Sequence, residues 1–156
     1  MEARLNVFTS PLAGKLLKHF ASAGKVVTDS GLPMTTQELV KIRASQINGC
    51  GFCLDMHTKE ASAAGETAQR LHMVAAWREA KVFSEAERAA LELAEHGTRL
   101  ADGTGVSDEV WENAAKHYDE EQLLALVSLI AVINAFNRLN VMTQQPAGDY
   151  VVGMFG

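Results

Sequence analysis

The sequence predicts an all-α fold: one domain over residues 1–156, built as a bundle of about seven helices. Three observations lead there. Ala, Leu and Glu are abundant while there are only three prolines and 6% aromatics, a composition that suits helices and not a β-sandwich or barrel. Apolar residues recur three, four or seven apart in one segment after another, the spacing of a helix face. No segment reads as a convincing strand.

In order, residues 12–28 place Leu12, Leu16, Leu17, Phe20 and Val27 at helical spacing, with Pro11 suited to the first turn after Ser10. Ser30–Pro33 stops this helix. A second helix is expected to be capped by Thr35 or Thr36, with Glu38 in its first turn, where the helix dipole favours a negative charge. Leu39, Ile42, Ala44 and Ile47 supply its packing face, and Asn48-Gly49 ends it. A third helix starts near Cys50 and runs to about Gly65. Glu66-Thr67 opens a fourth, with Leu71, Val74, Ala75 and Trp77 on its buried side, fading near Arg78–Ala80. Ser84–Glu87 is a capping box for a fifth helix carrying Leu91, Leu93, Ala94 and Leu100. Ser107 caps a sixth, with Val110, Trp111 and Ala114; both tryptophans are expected in the core.

Asp119 caps the last helix, with Gln122 at the capping-box position. From Leu123 to Ile133 it is apolar on nearly every side, too short for a membrane, and so expected to be buried all round, centrally or between subunits. Asn134, Asn137, Arg138 and Asn140 make its far end polar. The Gly-rich tail from Pro146 is expected to be a loose arm.

The formal charge is -5 and no Lys/Arg cluster forms a basic stripe, which excludes nucleic acid as the main partner. The N-terminus carries Glu2, Arg4 and Pro11 and lacks the apolar core of a signal peptide. No apolar run reaches the roughly 18–20 residues of a membrane span. The expectation is a cytoplasmic protein, with no membrane partner.

The chemistry concentrates in ELVKIRASQINGCGFCLDMH, residues 38–57. Both cysteines of the chain, Cys50 and Cys53, stand here as C-x-x-C, with His57 four residues further on and Glu38 twelve residues before Cys50. On a helix Cys50, Cys53 and His57 share one narrow stripe. Two cysteines on one helical turn meet disulfide geometry, and in a reducing compartment such a pair is redox-active or metal-binding sooner than structural. Free N–H groups at the helix start and the nearby imidazole both favour a thiolate, and Glu38 could accept a proton or orient His57 if its helix folds back. A metal site would have to recruit His72 or Glu38 as a fourth ligand, and no second Cys or His pair is present; the expectation is no metal.

This stretch resembles the core motif of the alkylhydroperoxidase D-like proteins of the carboxymuconolactone decarboxylase superfamily: a Glu, eleven residues, then C-x-x-C-x-x-x-H, matched at every spacing by Glu38, Cys50, Cys53 and His57. RASQINGC, HTKEA and AAWREA resemble its short members. The likeness is strong over about residues 35–80, fair through the last helix, and not evident in the first thirty residues. It implies an AhpD-like helical domain that forms a homo-oligomer, a dimer, trimer or hexamer. It also implies reduction of hydrogen peroxide or organic hydroperoxides by the cysteine pair. In that scheme Cys53 attacks the peroxide, Cys50 resolves it, and Glu38 and His57 relay protons. The resemblance implies no cofactor, neither metal, flavin nor haem, and a lipoyl-bearing or thioredoxin-like protein that returns the electrons. One position departs from some relatives: Phe52 stands where they carry a histidine between the cysteines. The alternatives are a disulfide reductase or redox sensor without strong peroxidase activity, and a decarboxylase-branch enzyme working with His57 and Glu38.

Overall fold

The computed structural model describes residues 2–155. Seven α-helices are formed among them, with no strand: α1 Pro11–Thr28, α2 Met34–Asn48, α3 Gly51–Ala63, α4 Ala68–Met73, α5 Glu85–Thr98, α6 Asp108–Ala115 and α7 Glu120–Thr143. Short 3₁₀ turns follow α4 at Val74–Ala76 and α5 at Leu100–Asp102.

The local signals hold. The Ser10 hydroxyl accepts from Ala13 N–H at the start of α1, with Pro11 inside the first turn. Both expected capping boxes form, Ser84 with Glu87 and Asp119 with Gln122, each satisfying donors that the first turn leaves free. Gly49 takes the left-handed conformation (φ 66°, ψ 30°) that ends α2 and turns the chain into α3.

The centre of the bundle is α2, which touches α3, α5 and α7. Its residues Thr36–Val40 are buried in an unbroken run, so it is enclosed on every side. On one flank Val40 joins Ala90, Leu93, Leu126 and Leu129 in a core shared with α5, α6 and α7. On the other, Leu39 and Ile42 pack with Ala61, Val74, Trp77, Phe83 and Leu91. Gly97 lets α5 and α7 approach closely: a Cβ there would meet Ile130 at 3.0 Å.

Several expectations are corrected. The helix buried all round is α2, not α7. The inward face of α7 holds Leu126 and Leu129, but Leu124 is 64% exposed, and Val127, Val141 and Met142 also face outward. Taken whole, α7 is long and apolar enough by length and composition to cross a membrane, because the helix runs well past the 123–133 segment; here its inner face is core. The expected apolar face of α1 buries only Val27 fully, leaving Leu12 and Leu16 exposed. Neither Thr35 nor Thr36 caps α2. Pro33 occupies that place with no side-chain bond, and Glu38 is the fifth helical residue, beyond the first turn.

The fourth helix stops at Met73 and gives way to the 3₁₀ turn, and the carbonyls of Trp77, Arg78 and Ala80 beyond it accept from the Arg88 guanidinium. Ala75 is exposed, and so is Leu100, which lies beyond α5. Trp77 is core, but Trp111 is 44% exposed, since Val110 and Ala114 define the inward stripe of α6.

The tail after Pro146 is not loose. The Asp55 carboxylate accepts from the backbone N–H of Gly148 (2.8 Å) and Tyr150 (3.1 Å), and Lys59 donates to the carbonyls of both residues. Glu60 takes the Tyr150 hydroxyl and Gly153 N–H. These bonds strap the tail onto α3.

Candidate functional site

The site is made where α2 ends and α3 begins. Cys50 N–H donates to Ser45 carbonyl at 3.0 Å, closing the turn around Gly49. Cys50 is the N-cap of α3, and its Sγ accepts from Cys53 N–H at 3.3 Å. A sulfur at the free N–H groups of a helix start is in a field that favours negative charge. Cys50 and Cys53 form a disulfide, with Cα atoms 5.4 Å apart. Each cysteine is 1% exposed.

His57 follows one turn after Cys53 on the same buried face of α3. Its Nδ1 lies 3.0 Å from Glu38 Oε2, and the other carboxylate oxygen of Glu38 accepts from Lys41 Nζ at 2.8 Å. Burial pushes the Glu38 carboxyl up, but the hydrogen bond and charge of His57, with the Lys41 ammonium, outweigh it and hold the group down at about 2, against the usual 4.5. An ionised Glu38 has only acceptors. It therefore accepts Nδ1–H of His57, which turns Nε2 away from the carboxylate.

All four expected residues thus fall in one locality, as two couples: Cys50 with Cys53, and Glu38 with His57 across the α2–α3 contact. The dipole argument for Glu38 fails, and its partner on α3 replaces it. His72 is exposed on α4, and no cluster of His, Cys, Asp or Glu able to hold a metal ion occurs among the described residues. A cleft of about 390 Å³ opens beside Glu38, between Met34, Leu39, Ala61 and Gly65, with Arg70 at its edge paired to Glu66 and Glu87; neither cysteine lines it.

Phe52 lies between the two cysteines in the chain. It is half-buried and packs on Phe8 (5.6 Å between ring centres) and Phe155 (6.2 Å), joining both terminal segments beside the dithiol.

Two contributors escaped the sequence reading. Lys41, three residues after Glu38, was visible as a helical ion-pair spacing. Asn140, on α7, places Nδ2 3.4 Å from Cys53 Sγ. Only the polar cluster at the end of an apolar helix hinted at it.

An all-helical domain with a bonded C-x-x-C at a helix start, beside a buried carboxylate–imidazole couple, is an AhpD-like arrangement. Residues 11–96 match the carboxymuconolactone decarboxylase family, and the chain belongs to that family. The match begins at α1, earlier than the motif resemblance extended. The uncharacterized protein YdfG of Bacillus subtilis is 45% identical over 130 residues, 83% of this chain and 88% of that one. A solved structure from Agrobacterium tumefaciens superimposes with a TM-score of 0.87 at 32% identity, covering 96% of this chain and 100% of that one. It is described as a protein of unknown function, with antioxidant defence protein AhpD as its candidate identity. The debrominase Bmp8 shares the fold with a TM-score of 0.81 at 19% identity, over 92% of this chain and 76% of its own.

Proposed function

We propose that the protein is a thiol-dependent peroxidase that reduces hydrogen peroxide or organic hydroperoxides. The observation that carries this reading is a Cys50–Cys53 disulfide on the same helix as an imidazole, His57, that is held by Glu38. In the reduced protein His57 Nε2 takes the proton of Cys53, leaving a thiolate. The thiolate attacks one peroxide oxygen; the O–O bond breaks, Cys53 becomes a sulfenic acid, and the departing alkoxide takes the proton from His57. The Cys50 thiol then condenses with the sulfenic acid, releasing water and forming the disulfide. A dithiol donor, on a lipoyl-bearing or thioredoxin-like protein of the cytoplasm, returns two electrons and two protons. Glu38 is a positioning residue here: a carboxyl held near 2 stays ionised at neutral pH and aligns the imidazole without taking the proton.

The working form in this proposal is a homo-oligomer, a dimer, trimer or hexamer, which gives the outward leucines and valines of α1 and α7 a partner.

The test is peroxide consumption with a regenerating dithiol. Cys53→Ser abolishes turnover, while Cys50→Ser permits one oxidation and traps Cys53 as sulfenic acid or mixed disulfide, read by mass spectrometry after one equivalent of peroxide. Sulfenic acid found only at Cys50 reverses the two roles. No turnover with any peroxide, alongside rapid disulfide exchange, sinks the peroxidase in favour of a reductase or sensor. Activity surviving in a Cys50→Ala/Cys53→Ala protein points to the decarboxylase branch.

A further inference from the structure

Asn134, Asn137 and Asn140 recur every three residues on α7 and are all buried. Buried amides are costly unless their hydrogen bonds are made, and the first two are committed to structure. Asn48 Nδ2, at the end of α2, donates to the Oδ1 atoms of Asn134 and Asn137, at 2.9 Å each. Asn137 Nδ2 donates to Ser45 Oγ at 3.0 Å, and Asn134 Nδ2 to Thr98 Oγ1 at 3.1 Å. These bonds clamp the last turn of α2, the turn that delivers Cys50, against α7. The third asparagine reaches past α2, and its amide meets Cys53 Sγ.

We propose that Asn140 is a catalytic thiolate-holding residue, whose Nδ2–H stabilises negative charge on Cys53 Sγ. This rests on the reading of Cys50–Cys53 as a redox pair. A disulfide sulfur is a weak acceptor and a thiolate a strong one, so the same contact stabilises the charged state more than the bonded state. The donor is already in place in the oxidised form, fixed by the helix that carries it, so no reorganisation is needed when charge arrives.

The contact serves two steps. In the dithiol it lowers the cost of moving the Cys53 proton to His57. In the reset, a reductant thiolate attacks Cys50 Sγ, a new S–S bond forms there, and the old bond breaks with its electron pair leaving on Cys53 Sγ, against Asn140. Cys50 has its own donor, the backbone N–H of Cys53. The two sulfurs therefore differ in kind: one is held by main chain, the other by a side chain that mutation can remove.

The experiment measures Cys53 alone, in a Cys50→Ser background. Thiolate ultraviolet absorbance is followed against pH, and the rate of alkylation by iodoacetamide is located by peptide mapping. Asn140→Leu, similar in shape but without the donor, is expected to raise the Cys53 pKa by about one, a roughly tenfold loss of thiolate and of alkylation rate near neutral pH. Asn140→Ala serves if the leucine variant does not fold, and is expected to shift in the same direction because it too removes the donor without adding a charge. An unchanged titration in a folded variant overturns the proposal. Peroxide turnover of the parent is scored separately. Turnover with an unchanged titration removes Asn140 alone, whereas a shifted titration without turnover removes the peroxidase reading and keeps Asn140.

Discussion

Helices α2 and α7 look mismatched to their positions. By composition α7 is the one to bury: eleven nearly unbroken apolar residues from Leu123 to Ile133. By position the enclosed helix is α2, whose buried set includes Thr36, Gln37, Glu38 and Ser45. A central helix with polar residues is expensive unless each has a partner. Here Glu38 has His57 and Lys41, Ser45 has Asn137, and Gln37 donates to Leu32 carbonyl, while Gln37 Oε1 is left buried without a partner among the described residues. The difference teaches that position in this bundle follows the hydrogen bonds a helix can make as much as its apolar content, since the buried polar residues of α2 meet partners on α3 and α7. The surplus apolar surface of α7 is directed outward, toward a surface that our proposal fills with another copy.

Four substitutions test that contrast, in descending order of effect. Glu38→Gln removes the charge that aligns His57, and peroxide turnover should fall on the order of 10²-fold with folding retained; a near-normal rate would show that the imidazole needs no carboxylate. The same variant has a pH signature. The Glu38 carboxyl is lower in the fold (about 2) than its usual 4.5, so its contribution to stability is complete above about pH 4.5 and is lost as pH falls toward 2. The stability gap between parent and Glu38→Gln should close over that interval in acid titrations. Second, Leu126→Ala, at a fully buried position of α7, should cost about 3 kcal/mol and lower the melting temperature by roughly 6–12 °C in thermal scans.

Third, Gly49→Ala places a side chain at φ 66° and should cost about 1 kcal/mol by chemical denaturation, with a loss of activity because the turn carries Cys50. Fourth, Leu124→Glu, on the open side of α7, should change the stability of the single chain by under about 0.5 kcal/mol. In light scattering, however, it should convert an oligomer to smaller species. A wild-type chain that is monomeric at micromolar concentration removes the proposed role of that surface.

Much of the fold was legible because its signals are local. Ser10-Pro11, the two capping boxes and Asn48-Gly49 each state a helix boundary within four residues, and the structure keeps them. The illegible part depends on partners far along the chain. Arg88 takes carbonyls of the irregular stretch after α4, and Asp55, Lys59 and Glu60 fasten the tail. Trp111 has the composition of a core residue and lies outside because two smaller neighbours own the inward stripe. In the site, Cys50, Cys53 and His57 declare themselves by spacing along one helix. Glu38 needed the family resemblance, since its partner is nineteen positions away. Asn140 stood out only as part of a polar helix end, its contact being with a sulfur eighty-seven positions back.

The short turn between α2 and α3 has a consequence of its own. Surface turns usually accept insertions, since lengthening a flexible connection costs little. At Gly49 the same change would be ruinous without altering any functional side chain. One added residue that extended α3 would rotate the remainder of that helix by about 100°. That would swing the cysteine and imidazole away from the carboxylate on the neighbouring helix. Chain length at this point therefore fixes how the two couples face each other as firmly as their side chains do, and homologous proteins that keep both couples should keep the count.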